Sequence, residues 1–242
     1  MNTRRGSFAI GGILALCGVL PAAAQERPVP RPRIDRARRS VTVPATLHLR
    51  RFRGARLANH HLLTWSEGKA AGNALLVTPV SDRAILDALE GLGGRPGNNL
   101  SEAAWTERSD PLSDAPDAVA RGSRVAISVV LPDGRRRPVE DLLVDVDGRG
   151  FVWVLAGNRA LIPKWKSGCV VCLQSCPGSK VANARATMRD LEEGRSRFLL
   201  SKFAEELGEG ARVAVELRLV DRPSPLRGPA SRPASRPASG GR

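Results

Sequence analysis

Apolar and polar positions between residues 41 and 221 alternate at two periods, and those periods predict the elements. Residues 41–43, 46–49, 62–65 and 74–80 read as strands, being apolar at every second position or apolar throughout a strand's length. Ser81 offers a hydroxyl N-cap, with Asp82 beside the positive end of a helix. Ile85, Leu86, Leu89 and Leu92 then recur at helical spacing until Gly93-Gly94 stop the run. Residues 95–121 are polar and turn-rich, predicting a long loop with one short helix after Ser101. Val125, Ile127 and Val129 alternate as a strand, and residues 142–146 and 151–155 flank Asp147-Gly148, which predicts a hairpin. Phe198, Leu199, Phe203 and Leu207 predict a helix face ended by Gly208-Glu209-Gly210, and Val213, Val215, Leu217 and Leu219 a final strand. Strands outnumber helices and many neighbours are hairpin-linked. The expected fold class is α+β: a single domain with mainly antiparallel sheet and two or three helices, flanked by disordered arms.

The ends of the chain follow other rules. Arg4-Arg5 precede an apolar run of 13 residues, 8–20, and Pro21-Ala22-Ala23-Ala24 follows it. That order predicts a signal peptide over 1–24, cleaved near Ala24, and a periplasmic or extracellular protein. The run is shorter than the roughly 20 residues a membrane-spanning helix needs. General secretion and the twin-arginine route both remain open, and Cys17 leaves with the signal. Residues 25–40 read as a Pro/Arg-rich disordered arm, 41–221 as the folded domain, and 222–242 as a Pro/Ala/Ser/Arg tail with Pro-Ala-Ser-Arg repeated.

Charge separates the arms from the domain. The net charge is +14, yet residues 41–221 hold only +3 of it. With no Tyr and nine scattered Phe and Trp, no base-stacking platform arises, which excludes specific nucleic-acid binding. Weak contact of the basic arms with an anionic surface, and an unidentified protein partner, stay open. At 42% hydrophobic and 26% charged, the chain is neither a coiled coil nor a disulfide miniprotein.

The chemistry concentrates in one segment. Cys169, Cys172 and Cys176 stand in a C-x2-C-x3-C-P run, flanked by Gly168 and Pro177-Gly178, whose turn chemistry predicts that the three thiols converge. Three readings follow. The run matches the tail of a bacterial ferredoxin motif, which implies an Fe–S cluster, although Lys166 stands where the first cysteine belongs. Zinc would take the three cysteines with His60 or His61. Outside the cytoplasm two of the thiols would oxidise together and leave the third free. Lys164, Lys166, Lys180 and Arg185 make the surround electropositive, which lowers a thiol pKa. The expectation is an exported small binding or redox-accessory module whose cluster forms a disulfide/thiol site. An Fe–S or zinc-binding protein, or an interaction scaffold without thiol chemistry, is the alternative. No nucleophile–base pair stands out, and no catalytic residue is assigned. Asp145-Val-Asp147-Gly148 lacks the further carboxylates of a calcium loop and reads as a turn.

Asn73-Ala-Leu-Leu-Val-Thr78, Leu92-Gly-Gly-Arg-Pro-Gly-Asn-Asn99, Val144-Asp-Val-Asp-Gly148, Ala156-Gly-Asn158, Ser167-Gly168-Cys169, Cys172 and Ser175-Cys176-Pro177-Gly178 through Asn183 keep a common order and spacing. On these pieces the region from about residue 62 to 220 resembles the YdjY family of exported bacterial proteins, sometimes labelled ferredoxin-like. The resemblance implies export and a shared fold, and brings no established reaction.

Overall fold

The computed structural model describes residues 30–54 and 60–220. The signal peptide and the C-terminal tail expected from the sequence lie outside the described residues. The strands are β1 (Arg33–Asp35), β2 (Ser40–Leu47), β3 (His61–Trp65), β4 (Leu76–Thr78), β5 (Val125–Val130), β6 (Arg136–Pro138), β7 (Leu143–Asp145), β8 (Trp153–Leu155), β9 (Cys169–Cys172), β10 (Val181–Asn183), β11 (Phe198–Leu200) and β12 (Arg212–Leu219). The α-helices are α1 (Leu49–Gly54), α2 (Asp82–Gly91), α3 (Ala103–Thr106), α4 (Ile162–Trp165), α5 (Met188–Glu192) and α6 (Lys202–Leu207).

Alternation builds the sheet. In β2, Val41, Val43, Ala45 and Leu47 are all buried, and Val213, Val215 and Leu217 of β12 are buried beside them. The ten-stranded sheet runs β6-β5-β12-β2-β4-β3-β9-β10-β8, with β1 also on β2. Pairs β3/β4 and β9/β10 are parallel and the others antiparallel. The Leu155 N–H donates to Ser123 O at 2.8 Å, and Arg124 bridges to Val154. The last strand thereby meets the start of β5, and the sheet curls towards a barrel. Ile85, Leu86 and Leu89 of α2, all fully buried, pack against β2 and β9. Ser81 caps this helix by accepting from the Ala84 N–H at 3.1 Å, as its sequence predicts.

The α+β expectation does not hold: the fold is mainly sheet, mixed in direction and curled, with few short helices. The longest helix, α2, has 10 residues, and in the other helices turn residues break the helical run after one or two turns. The hairpin expected between 142–146 and 151–155 is also replaced. Asp145 draws the Gly150 N–H to its carboxylate at 2.6 Å, and Asp147 takes the Arg197 N–H at 2.7 Å, so β7 pairs with β11. β8 pairs instead with β10. Phe198 and Leu199 therefore lie in a strand, not on a helix face; Ser201 caps α6 only after them. Order also begins before residue 41, because β1 pairs with β2 inside the segment read as an arm.

Candidate functional site

A strand's two-residue period sets positions three apart on opposite faces, so a regular β9 would aim Cys169 and Cys172 away from each other. The β3/β9 ladder is irregular. Thr64 pairs with Cys169, Leu63 with Val171 and His61 with Cys172, so Val170 is an extra residue on one strand and Leu62 on the other. Bulges of this kind re-aim side chains. Both cysteines pack with Cys176 and Met188 in one small cluster, while Val170 and Val171 join the main core.

The parallel β9/β10 pairing brings in Cys176. Residues 173–180 must carry the chain back along the sheet before β10 starts, and Cys176 sits on that return. The return is held by hydrogen bonds from Ser175 N–H to Ala186 O (2.6 Å), from Ala120 N–H to Ser175 Oγ (3.0 Å) and from Ser179 Oγ to Cys176 O (2.7 Å). His60, just before β3, accepts the Leu173 N–H on its carbonyl at 2.8 Å.

The geometry divides the five chemically active residues. Donor atoms of His60, Cys172 and Cys176, all three residues buried, lie within 4.8 Å of one another. Cys169 Sγ lies instead 3.3 Å from His61 Nδ1. The two imidazole centroids are 3.9 Å apart. Cys169, Cys172 and Cys176 are free, buried thiols.

Burial, reinforced by the His60 ring, holds the His61 imidazole well below its ordinary value, which keeps it neutral. Burial likewise pushes the Cys172 thiol well above the ordinary thiol range, with the Cys169 and Cys176 sulfurs adding to the rise. Cys176 moves down: the Cys172 thiol stabilises its thiolate, joined by the Gly178 N–H, the Lys180 ammonium and the Ser179 N–H. Cys176 therefore ionises before Cys172. Two sulfurs and one imidazole within this reach match a zinc-type donor set with three protein ligands and a fourth position left over.

A cleft of about 530 Å³ opens over the cluster, with His60, His61, Cys169 and Cys176 among its lining residues. Trp105 of α3 and Trp165 of α4 wall it, their ring centroids 6.5 Å apart in an edge-on arrangement. The cleft owes its shape to backbone contacts that exclude side chains. Gly168, at φ +69°, would place a Cβ 2.5 Å from the Gly68 Cα. That approach lets Lys69 N–H reach Lys166 O and Ala70 N–H reach Ser167 O, both at 3.0 Å. Gly178 leaves room for the Trp165 ring, which a Cβ there would meet at 2.9 Å.

The electropositive surround is distributed differently from its sequence reading. Only Lys180 acts on the cluster, and it is 1% exposed and ion-paired with Asp82 at 2.5 Å. Lys164 pairs with Glu102, Lys166 lines a separate cavity beside Asp82, and Arg185 is exposed. Trp105, Trp165, Glu102 and Lys69 line the cleft without having been singled out in the sequence. The one signal for them was the short helix expected after Ser101, which is α3 and carries Trp105.

Among the described residues no helix is long and apolar enough to cross a membrane. The uncharacterized protein YdjY of Escherichia coli (strain K12) is 26% identical over 140 residues, covering 57% of this chain. The chain spans 58% of the length of that curated relative. No solved structure matches. The YdjY domain family matches residues 33–218, which takes in the whole described sheet except Leu219, the final residue of β12, and with it the cysteine cluster, His60 and both walls of the cleft. On that match, the chain belongs to the YdjY domain family.

Proposed function

We propose that this is an exported binding module that holds one soft metal ion, zinc in the first place, between His60, Cys172 and Cys176. The observation that carries the reading is the approach of these three donor atoms to within 4.8 Å of one another. Zinc–sulfur bonds of about 2.3 Å and zinc–nitrogen bonds of about 2.0 Å require donors at such mutual distances. In a [4Fe–4S] cluster, the kind the ferredoxin run implies, each thiolate sits on its own iron and the sulfurs spread farther, so the compact group favours a single ion over that reading. Binding would deprotonate Cys172 as well as Cys176, so two thiolates would balance the dication and His60 would serve as a neutral ligand. The Cys176 loop contributes the N–H groups of Gly178 and Ser179, which hold that sulfur in place before any ion arrives.

Contact of the Cys172 sulfur with those of Cys169 and Cys176 supports a second reading, in which Cys172 forms a disulfide with one of them after export and the remaining thiol is free. Anaerobic purification of the full chain from the extracytoplasmic fraction, with metal analysis and thiol counting under denaturing conditions, separates the two. One zinc per chain and three thiols support the metal site. One thiol and no metal support the disulfide. Recovery of the chain with residues 1–24 still attached would count against export.

A further inference from the structure

The metal centre accounts for the floor of the cleft but not for its walls. Three protein ligands leave one position of a tetrahedral ion to an outside ligand, and Cys169, the remaining sulfur, lies against His61. The cavity, at about 530 Å³, is of the size that encloses a small molecule. Its walls are aromatic. Arg108 covers Trp105 with its guanidinium 4.4 Å from the ring centroid, and the His60 ring lies 5.8 Å from the same indole. The planes of Trp105 and Trp165 cross at 63°, so the two indoles form an apolar corner that takes a flat group against one ring with its edge towards the other.

Charge narrows the choice. Glu102 is neutralised by Lys164 and also accepts from Trp165 Nε1 at 3.4 Å. Lys69 lines the same cleft with no carboxylate partner among the described residues. A zinc dication with two thiolates and a neutral imidazole has no net charge, so Lys69 is the cation left to select a ligand.

We infer that the cleft takes a small planar anion bearing a nitrogen donor: the ring sits in the corner between Trp105 and Trp165, the anionic group pairs with Lys69, and the donor fills the fourth position of the ion. The inference rests on the metal reading above. It assigns the class of a heteroaromatic carboxylate, in which one end is a soft-metal donor and the other a charge.

Cobalt(II) substituted into the full chain makes the site visible, and three probes dissect the ligand: imidazole-4-acetate, imidazole and phenylacetate. The expected result is a change in the cobalt d–d bands and quenched tryptophan emission with imidazole-4-acetate. Its dissociation constant should be about two- to fivefold below that of imidazole, the scale of one exposed charge pair, since Lys69 is exposed. Lys69→Met should abolish that advantage without altering the affinity for imidazole. Cobalt bands that appear but do not respond to imidazole-4-acetate would overturn the inference while leaving the metal site standing. So would equal binding to the metal-free protein, tighter binding of phenylacetate, or an unchanged preference in Lys69→Met. Absence of thiolate-to-cobalt charge-transfer bands would sink the metal reading, and this inference with it.

Discussion

His61 Nδ1 lies 3.3 Å from Cys169 Sγ, and that contact gives the two adjacent imidazoles different tasks. His60 shares its space with Cys172 and Cys176, whereas His61 occupies the one cysteine outside that group. Replacing His60 by Ala should weaken zinc binding by more than about 100-fold, while His61→Ala, acting on a neighbour of the centre, should cost about tenfold. Competition with a chromophoric zinc chelator measures both. Equal losses would mean that the contact does not sort the two rings.

Gly168 and Gly68 meet backbone to backbone, and Gly168 has φ +69°. A Gly168→Ala chain must accept both an unfavourable φ and a clash that no side chain can relieve. We expect a loss of about 2 kcal/mol or more, which lowers the melting temperature by roughly 4–8 °C for a domain of this size. Gly134→Ala is the control, since φ there is also positive, at +84°, but nothing lies within 4 Å of the added Cβ. Equal melting temperatures for the two variants would show that the close approach adds nothing.

Lys180 and Asp82 form a buried pair behind Cys176, at 1% and 5% exposure. Lys180→Met leaves a carboxylate without its counter-charge, a loss of about 3–5 kcal/mol. The double variant Lys180→Met, Asp82→Leu removes both charges and should recover most of that stability. Urea unfolding of the wild type and the two variants tests this. A double variant no more stable than the single one would contradict the account.

Asp147 binds Arg197 through both the side chain and the N–H, and these hydrogen bonds hold its carboxyl below the ordinary carboxylate range. A lowered folded pKa means that the contribution is fully present above about pH 4 and is lost as the pH falls through the folded value. Asp147→Asn should therefore be less stable than the wild type near neutral pH, with the gap closing on acidification. Thermal melts across pH 2–7 measure the gap. A constant difference over that range would be evidence against an ionic origin.

Part of this was legible in the sequence. Ser81, Asp82 and the spacing of Ile85, Leu86 and Leu89 marked α2, and the alternation from Val213 to Leu219 marked the last strand, because both patterns are local. The cysteines and both histidines were also legible, as candidates for one zinc site among three open readings. What local patterns do not carry is pairing. Asp147-Gly148 is a sound turn signal, but carboxylate contacts to Gly150 and Arg197 part the strands on either side of it. The same holds for the bulges that turn Cys169 and Cys172 to one face, since they exist only in the register of β3 against β9. Lys180 was legible as part of the electropositive surround of the thiols, but its burial and its pairing with Asp82 of a distant helix were not.

The central claim is a single ion on two sulfurs and one imidazole. Zinc-edge X-ray absorption on the anaerobically purified full chain tests it most directly. The account expects two sulfur scatterers at about 2.3 Å and two nitrogen or oxygen scatterers at about 2.0 Å, with His60→Ala losing the imidazole signature. A shell made of sulfur alone, or a chain carrying no stoichiometric zinc, would contradict it.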